Sequence, residues 1–232
     1  MKKIVYVIFL VFLLLIACTG LKKQNPCTIV KLTDPNQHFE TERLSFLPPA
    51  SENWDVKTCF PGDGVITFYS TSSPKKGALR TDSVTIIPFP NTLGHGNFSK
   101  ILDNDILQAK KLNARYEHLG NSPDRPMYKV NVVHMADMRC IQYESSITTP
   151  IAGKISTTTY SCEQPNQPKD LPLISIISTF SNTNEILAPI WSSIKFKPVD
   201  RTNSRIYQNW KIKNSEISKN KAYDEWLHSD RP

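Results

Sequence analysis

Apolar and polar residues alternate along much of the chain between residues 42 and 180, and a period of two predicts strands. Arg43-Leu44-Ser45-Phe46-Leu47 alternates until Pro48-Pro49 stops it, and Trp54-Asp55-Val56 follows across a polar turn. Val65 to Thr71 and Ser83 to Phe89 are β-branched and aromatic, with Pro88 and Pro90 confining the second run's far end to an edge or a strand terminus. Pro61-Gly62-Asp63-Gly64 is turn chemistry, because Pro fixes its own φ and Gly tolerates a positive one; Ser72 to Gly77 reads as a solvated hairpin loop. Tyr128 to Met135, Met138 to Thr148, Ile155 to Cys162 and Leu171 to Phe180 follow one another through short polar turns, so antiparallel neighbours are expected. Leu171 to Ser178 is the most apolar of these runs and belongs near the sheet's centre.

Two stretches switch to a helical period. From Asn97 or Ser99 to about Arg115, the residues Leu102, Ile106, Ala109 and Leu112 make one apolar stripe. Asp103 and Asp105 come early and Lys110, Lys111 and Arg115 late, the order that the helix dipole favours. A shorter helix is expected over Glu185 to Ile194, carrying Leu187, Ile190, Trp191 and Ile194, and Pro189 should make it start late or bend. Phe196 then closes the core before Pro198. Strands, helix, strands, helix describe an α+β domain: an antiparallel sheet packed against one long and one short helix. Residues 199–232 change composition; Asn, Ser, Lys and Arg dominate and no period long enough for a core is visible. This polar C-terminal tail carries Trp210, Tyr223, Trp226 and Leu227, which either bind a partner or lie back on the domain; docking is favoured because exposed aromatic patches are uncommon.

The amino terminus has a different pattern. Lys2 and Lys3 precede an unbroken apolar run from Ile4 to Ile16 that closes on Ala17 and Cys18. A charged start, an apolar centre of 13 residues and a small residue before the cut read as a secretory signal. The run is shorter than the ~20 apolar residues of a spanning helix. Leu15-Ile16-Ala17-Cys18 resembles the lipobox of bacterial lipoproteins. That resemblance implies removal of residues 1–17, acylation of Cys18 and attachment to a membrane through its lipid, with 18–26 as a tether. In enterobacterial members of that family an aspartate after the cysteine retains the protein at the inner membrane; Thr19 implies the outer membrane.

Export sharpens the reading of the remaining cysteines. Cys27, Cys59, Cys140 and Cys162 are an even number in an oxidising compartment. An antiparallel pairing centred on Ile151 puts Cys140 opposite Cys162, within reach of a disulfide, and leaves Cys27 with Cys59 by elimination. A zinc site would need a Cys-x-x-Cys pair or a closely spaced His partner, and neither exists in the sequence.

Without residues 1–17, 26 basic and 21 acidic side chains remain, a balance of +5 that is ordinary for a domain of this length. No basic stripe interleaved with aromatics argues for nucleic acid. No Gly-x-Ser-x-Gly elbow, His-Glu-x-x-His motif, phosphate loop or dinucleotide fingerprint is present. His38, His95, His118, His134 and His228 are scattered, with no paired metal spacing. Gly94-His95-Gly96, His134 with Asp137, and Gly62-Asp63-Gly64 read more simply as turns or strand ends than as acid–base or cation sites. No cofactor is called for.

The order of elements, with Trp54 in an early loop and Trp191 in a short late helix, is similar to the PsbP-like α/β proteins over residues 40–198. The expectation is a globular α+β domain over residues 27–198 in a lipid-anchored envelope protein that binds an envelope protein or polymer, or serves as a structural accessory. An envelope hydrolase without a recognisable motif is the alternative.

Overall fold

The computed structural model describes residues 27–50, 53–58, 64–71, 82–90, 97–122, 124–149, 153–166, 171–180 and 183–219. In chain order the elements are β1 (Thr28–Lys31), β2 (Phe39–Glu40), β3 (Leu44–Phe46), β4 (Trp54–Thr58), β5 (Ile66–Ser70), β6 (Ser83–Ile87) and α1 (Phe98–Arg115). After a short 3-10 turn come β7 (Met127–Met135), β8 (Met138–Thr149), β9 (Gly153–Cys162), β10 (Ile174–Ser178), α2 (Thr183–Ser193), β11 (Lys195–Phe196) and α3 (Arg205–Lys219). Eight strands form one sheet in the order β1-β4-β5-β6-β10-β9-β8-β7, every neighbouring pair antiparallel, and β11-β3-β2 form a second, small sheet. The expected α+β class with a large antiparallel sheet is therefore present, and β10 lies at its centre with Ile174, Ile176 and both flanking serines buried.

Alternation decides which way each strand faces. On one face, Val56, Ile66, Phe68, Val84, Ile86 and Ile176 bury completely or nearly so against Leu187 and Ile190 of α2 and Leu44 and Phe46 of the small sheet. The intervening residues Asp55, Thr67, Tyr69, Thr85 and Ile177 point the other way and are only half-buried. At the β7–β8 end this second face is covered by α1, whose Phe98 and Ile101 bury with Ile141 and Leu173 while Leu102 and Val130 pack beside them. Asn97 caps α1 by accepting from the Lys100 N–H at 3.1 Å, and Arg139 of β8 lies 3.9 Å from the Phe98 ring centroid while bonding Glu163 at 2.9 Å. The long and the short helix thus pack on opposite faces of the sheet.

Three expectations need correcting. The buried stripe of α1 runs Phe98, Ile101 and Ala109, rotated from the one expected, because the sheet offers Ile141 and Leu173 there; Asp105, four residues from both Ile101 and Ala109, shares that face. The short helix starts at Thr183 and runs through Pro189. Its first turn is fixed by the Thr183 hydroxyl donating to Phe180 O at 2.6 Å, and the Ser193 hydroxyl donates back to Pro189 O at 2.6 Å. Most consequential, part of the polar tail, in which no period was visible, is a third helix, α3; its docking on the domain is the arrangement that its aromatics favoured. Asp200 accepts from the Thr202 and Asn203 N–H groups, Ser204 caps the helix by accepting from the Tyr207 N–H at 3.0 Å, and the Ser204 hydroxyl meets Glu42. Ile206, Tyr207 and Trp210 then bury against Phe89 and Leu171, with the Trp210 indole donating to Pro90 O at 3.0 Å. Gly64 makes room for them: its φ is +69°, and a Cβ there would stand 2.9 Å from Ile206 Cδ1.

Arg43, next to the start of β3, is fully buried. Its guanidinium donates to Pro88 O at 2.9 Å, to Pro172 O at 2.7 Å and to Gln164 Oε1 at 3.2 and 3.1 Å, and lies over the Phe89 ring. Burial lowers its pKa to about 9, so it remains charged at neutral pH. Arg43→Met should cost about 3 kcal/mol, because it takes away in one step the donor that Arg43 offers to two carbonyls inside the domain; a lowered urea midpoint at unchanged slope is the expected reading.

Asp105 gives a second measurement. Burial raises its pKa from 3.8 to about 6. A carboxylate raised in the folded state binds more protons folded than unfolded between about pH 4 and 6, so wild-type stability falls as pH rises through that window. Asp105→Asn should be the more stable protein at pH 7, and the difference should shrink as pH falls from 6 to 4; denaturation midpoints across that range test it.

Candidate functional site

The long hairpins carry a polar surface on the same face as the core. In β8 the residues Met138, Cys140, Gln142, Glu144 and Ser146 share one side, so a buried beginning gives way to polar groups along a single line. The register places Gln142 opposite Tyr160 and Glu144 opposite Thr158 on β9, and Lys129 of β7 opposite Glu144. The first turn of α2 brings Asn184 and Glu185 over this line. A recess of about 230 Å³ is lined by Gln142, Glu144, Thr158, Tyr160, Asn184 and Glu185 among others. A second recess of about 260 Å³ shares Glu144 and Thr158 and adds Met127, Lys129 and Phe180. The shared residues make the two recesses one trough running from the first turn of α2 toward the β7 edge.

A chain of hydrogen bonds crosses the trough floor. The Gln142 amide donates to Glu144 Oε1 at 3.0 Å and to the Tyr160 hydroxyl at 3.3 Å, and that hydroxyl donates to Asn184 Oδ1 at 3.2 Å. Behind it, the Tyr160 ring meets Trp191 edge-on with centroids 5.2 Å apart. Burial, helped by the Glu144 charge and opposed by the Gln142 hydrogen bond, raises the Tyr160 pKa, so the hydroxyl is held as a donor. The network fixes Gln142 and Asn184 in one orientation and leaves each with groups facing the trough. Such a floor suits a ligand rich in hydroxyls or amides, and Phe180 and Met127 supply an apolar flank.

The residues singled out from sequence fall differently. Cys140 and Cys162 are joined in a disulfide at the expected register, which braces the β8–β9 hairpin at the inner end of the trough. Cys27 is also disulfide-bonded, and β1 pairs with β4 at Thr28↔Thr58; Cys59 lies outside the described residues. Trp210 is buried beside Phe89 and Tyr207, the docked one of the two readings of this segment. Cys18, His95, Tyr223, Trp226, Leu227 and His228 lie outside the described residues. His134 and Asp137 are exposed at the β7–β8 turn, and Ala136 between them adopts φ +53°. Among the described residues, no group of three His, Cys, Asp or Glu is placed to hold a metal. Sequence reading passed over Gln142, Glu144, Tyr160 and Asn184. The signal was there: polar residues standing at the parity of Met138 and Cys140, where a core strand would have continued apolar.

Tyr160→Phe should remove the hydroxyl link and keep the Trp191 contact, costing about 1 kcal/mol, whereas Tyr160→Ala should cost about 3 to 5 kcal/mol through the lost ring. Thermal or chemical unfolding of both variants distinguishes the network from the packing. Comparison with known protein families, characterised proteins and solved structures found no match for this chain.

Proposed function

We propose that this chain is a bacterial envelope lipoprotein, anchored through acyl groups on Cys18, whose domain is a binding module for a polyhydroxylated or amide-bearing envelope polymer. The observation that carries the binding reading is the hydrogen-bonded floor Glu144–Gln142–Tyr160–Asn184 in an open trough. Planar amide and carboxylate groups offer paired donors and acceptors to sugar hydroxyls or peptide amides, and the Phe180 flank suits the apolar side of a sugar ring. The anchor reading rests on Leu15-Ile16-Ala17-Cys18 after its charged and apolar leader. Two or more acyl chains hold a protein to a bilayer stably where one is marginal. Thr19 after the cysteine favours the outer membrane. The polar elements from 18 to 26 then serve as a tether to a disulfide-braced domain of the PsbP-like α/β kind.

Sedimentation of the purified full chain with insoluble peptidoglycan sacculi tests the ligand class. Wild type should co-sediment, and Glu144→Ala or Asn184→Ala should weaken the apparent affinity about tenfold, the effect of losing roughly 1.4 kcal/mol of polar contact. Equal binding by wild type and both variants would remove the trough from this role. Radiolabelled palmitate should enter the wild-type chain and not Cys18→Ser; an unlabelled wild-type chain would end the anchor reading.

A further inference from the structure

Among the described residues the large sheet ends at β7, nine residues long, with β8 as its one strand neighbour. Its free side is not uniform. The Asn113 side chain of α1 donates to Tyr128 O at 2.8 Å and accepts from the Tyr128 N–H at 3.1 Å, standing in for a neighbouring strand at that residue. Those bonds also fix the polarity of the edge. Tyr128 turns its N–H and C=O away from β8, and in an antiparallel ladder alternate residues do the same, so Val130, Val132 and His134 present theirs outward too. No hydrogen bond to a described residue takes up the outward groups of these three. Val132 is also one of the exposed large apolar side chains, at 45 %. The strand contains no proline, no acidic residue and no arginine, and a single lysine, Lys129. Edges left this way are templates for another strand.

We propose that β7 is a dimerisation edge, on which the β7 strand of a second copy of this chain pairs antiparallel about a two-fold axis at Val132. The register follows from the three outward residues. Centred on Val132, the pairing sets Val132 against Val132 of the second copy and Val130 against its His134, so every outward N–H and C=O from 130 to 134 finds a partner. A register centred on Asn131 would instead need the Tyr128 groups that Asn113 already occupies. The side chains agree. Lys129 would face Met135 of the second copy and not another lysine, Asn131 would face Val133, and the exposed Val132 pair would cover each other. The axis stands perpendicular to the sheet, so both troughs open on the same side. Because Met127 and Lys129 line the trough, its β7 wall would then continue onto the second copy.

Cysteine scanning in the full chain, expressed in a bacterial envelope and oxidised there, tests both pairing and register. Val132→Cys should give a disulfide-linked dimer as the main species on a non-reducing gel, while Asn131→Cys and His134→Cys should give little. Sedimentation of the detergent-purified wild type should show a dimer. Val132→Lys, which sets two ammonium groups face to face, and Val132→Pro, which deletes an outward N–H that bonds no described residue, should both shift it to monomer with the Cys140–Cys162 bond intact. A wild-type monomer at tens of micromolar, a crosslink strongest at Asn131→Cys, or a crosslink to a chain of different mass would each overturn the proposal.

Discussion

The structure turns on one buried cation. Arg43 sits where four parts of the chain converge: the small sheet through β3, the end of β6 at Pro88, the approach to β10 at Pro172, and the segment after β9 at Gln164. Two of the groups it meets are strand-end carbonyls, and a buried carbonyl left unpaired costs about as much as a lost hydrogen bond. A guanidinium satisfies several at once because its five donors lie in one plane. The Phe89 ring covers it, and that same ring is the floor for Tyr207 and Trp210 of α3. The docking of the last helix therefore depends on a charge that two sheets have already enclosed.

This arrangement leaves the other end of the sheet free for function. From β6 to β1 the inner face is filled by aliphatic and aromatic side chains from α2 and the small sheet. Along β8 and β9 the strands outrun that cover: they are 12 and 10 residues long, while α2 has 11 residues and begins at Thr183, with Asn184 of its first turn meeting Tyr160. Beyond that point, side chains of inner parity meet solvent and turn polar. The trough is thus the part of the sheet that the helix is too short to cover. The Cys140–Cys162 bridge lies at the covered end, so the outer part of the hairpin relies on its ladder and on α1 beneath it.

Period and punctuation made the main sheet readable. Each long strand named from sequence is present, and the β8–β9 register followed from two cysteines equidistant from Ile151. What escaped did so for identifiable reasons. β2 and β11 have two residues each, too few to show any period, and exist because β3 lies between them. α3 is announced by Ile206, Tyr207 and Trp210 at helical spacing and by Ser204 as a cap, but one turn of apolar residues is a weak signal in a polar stretch. Arg43 looked like the polar member of an alternating strand; its burial depends on residues 45 to 129 positions away, which no local pattern contains. The trough combines β7, β8, β9 and α2, and so needed the fold before its residues could be seen as neighbours.

Topology also gives the site a direction. The described chain begins at the β1 edge, and the trough lies six strand steps away at β8, a distance of roughly 29 Å at ~4.8 Å per strand. If the lipid sits on Cys18, the anchor enters the sheet at one edge while the trough and the free β7 edge occupy the other. The proposed tether would then hold β1 nearer the bilayer than the trough. Shape and attachment would in that case serve the same end: the width of the sheet would act as the spacer between the membrane and the polymer the trough is proposed to hold.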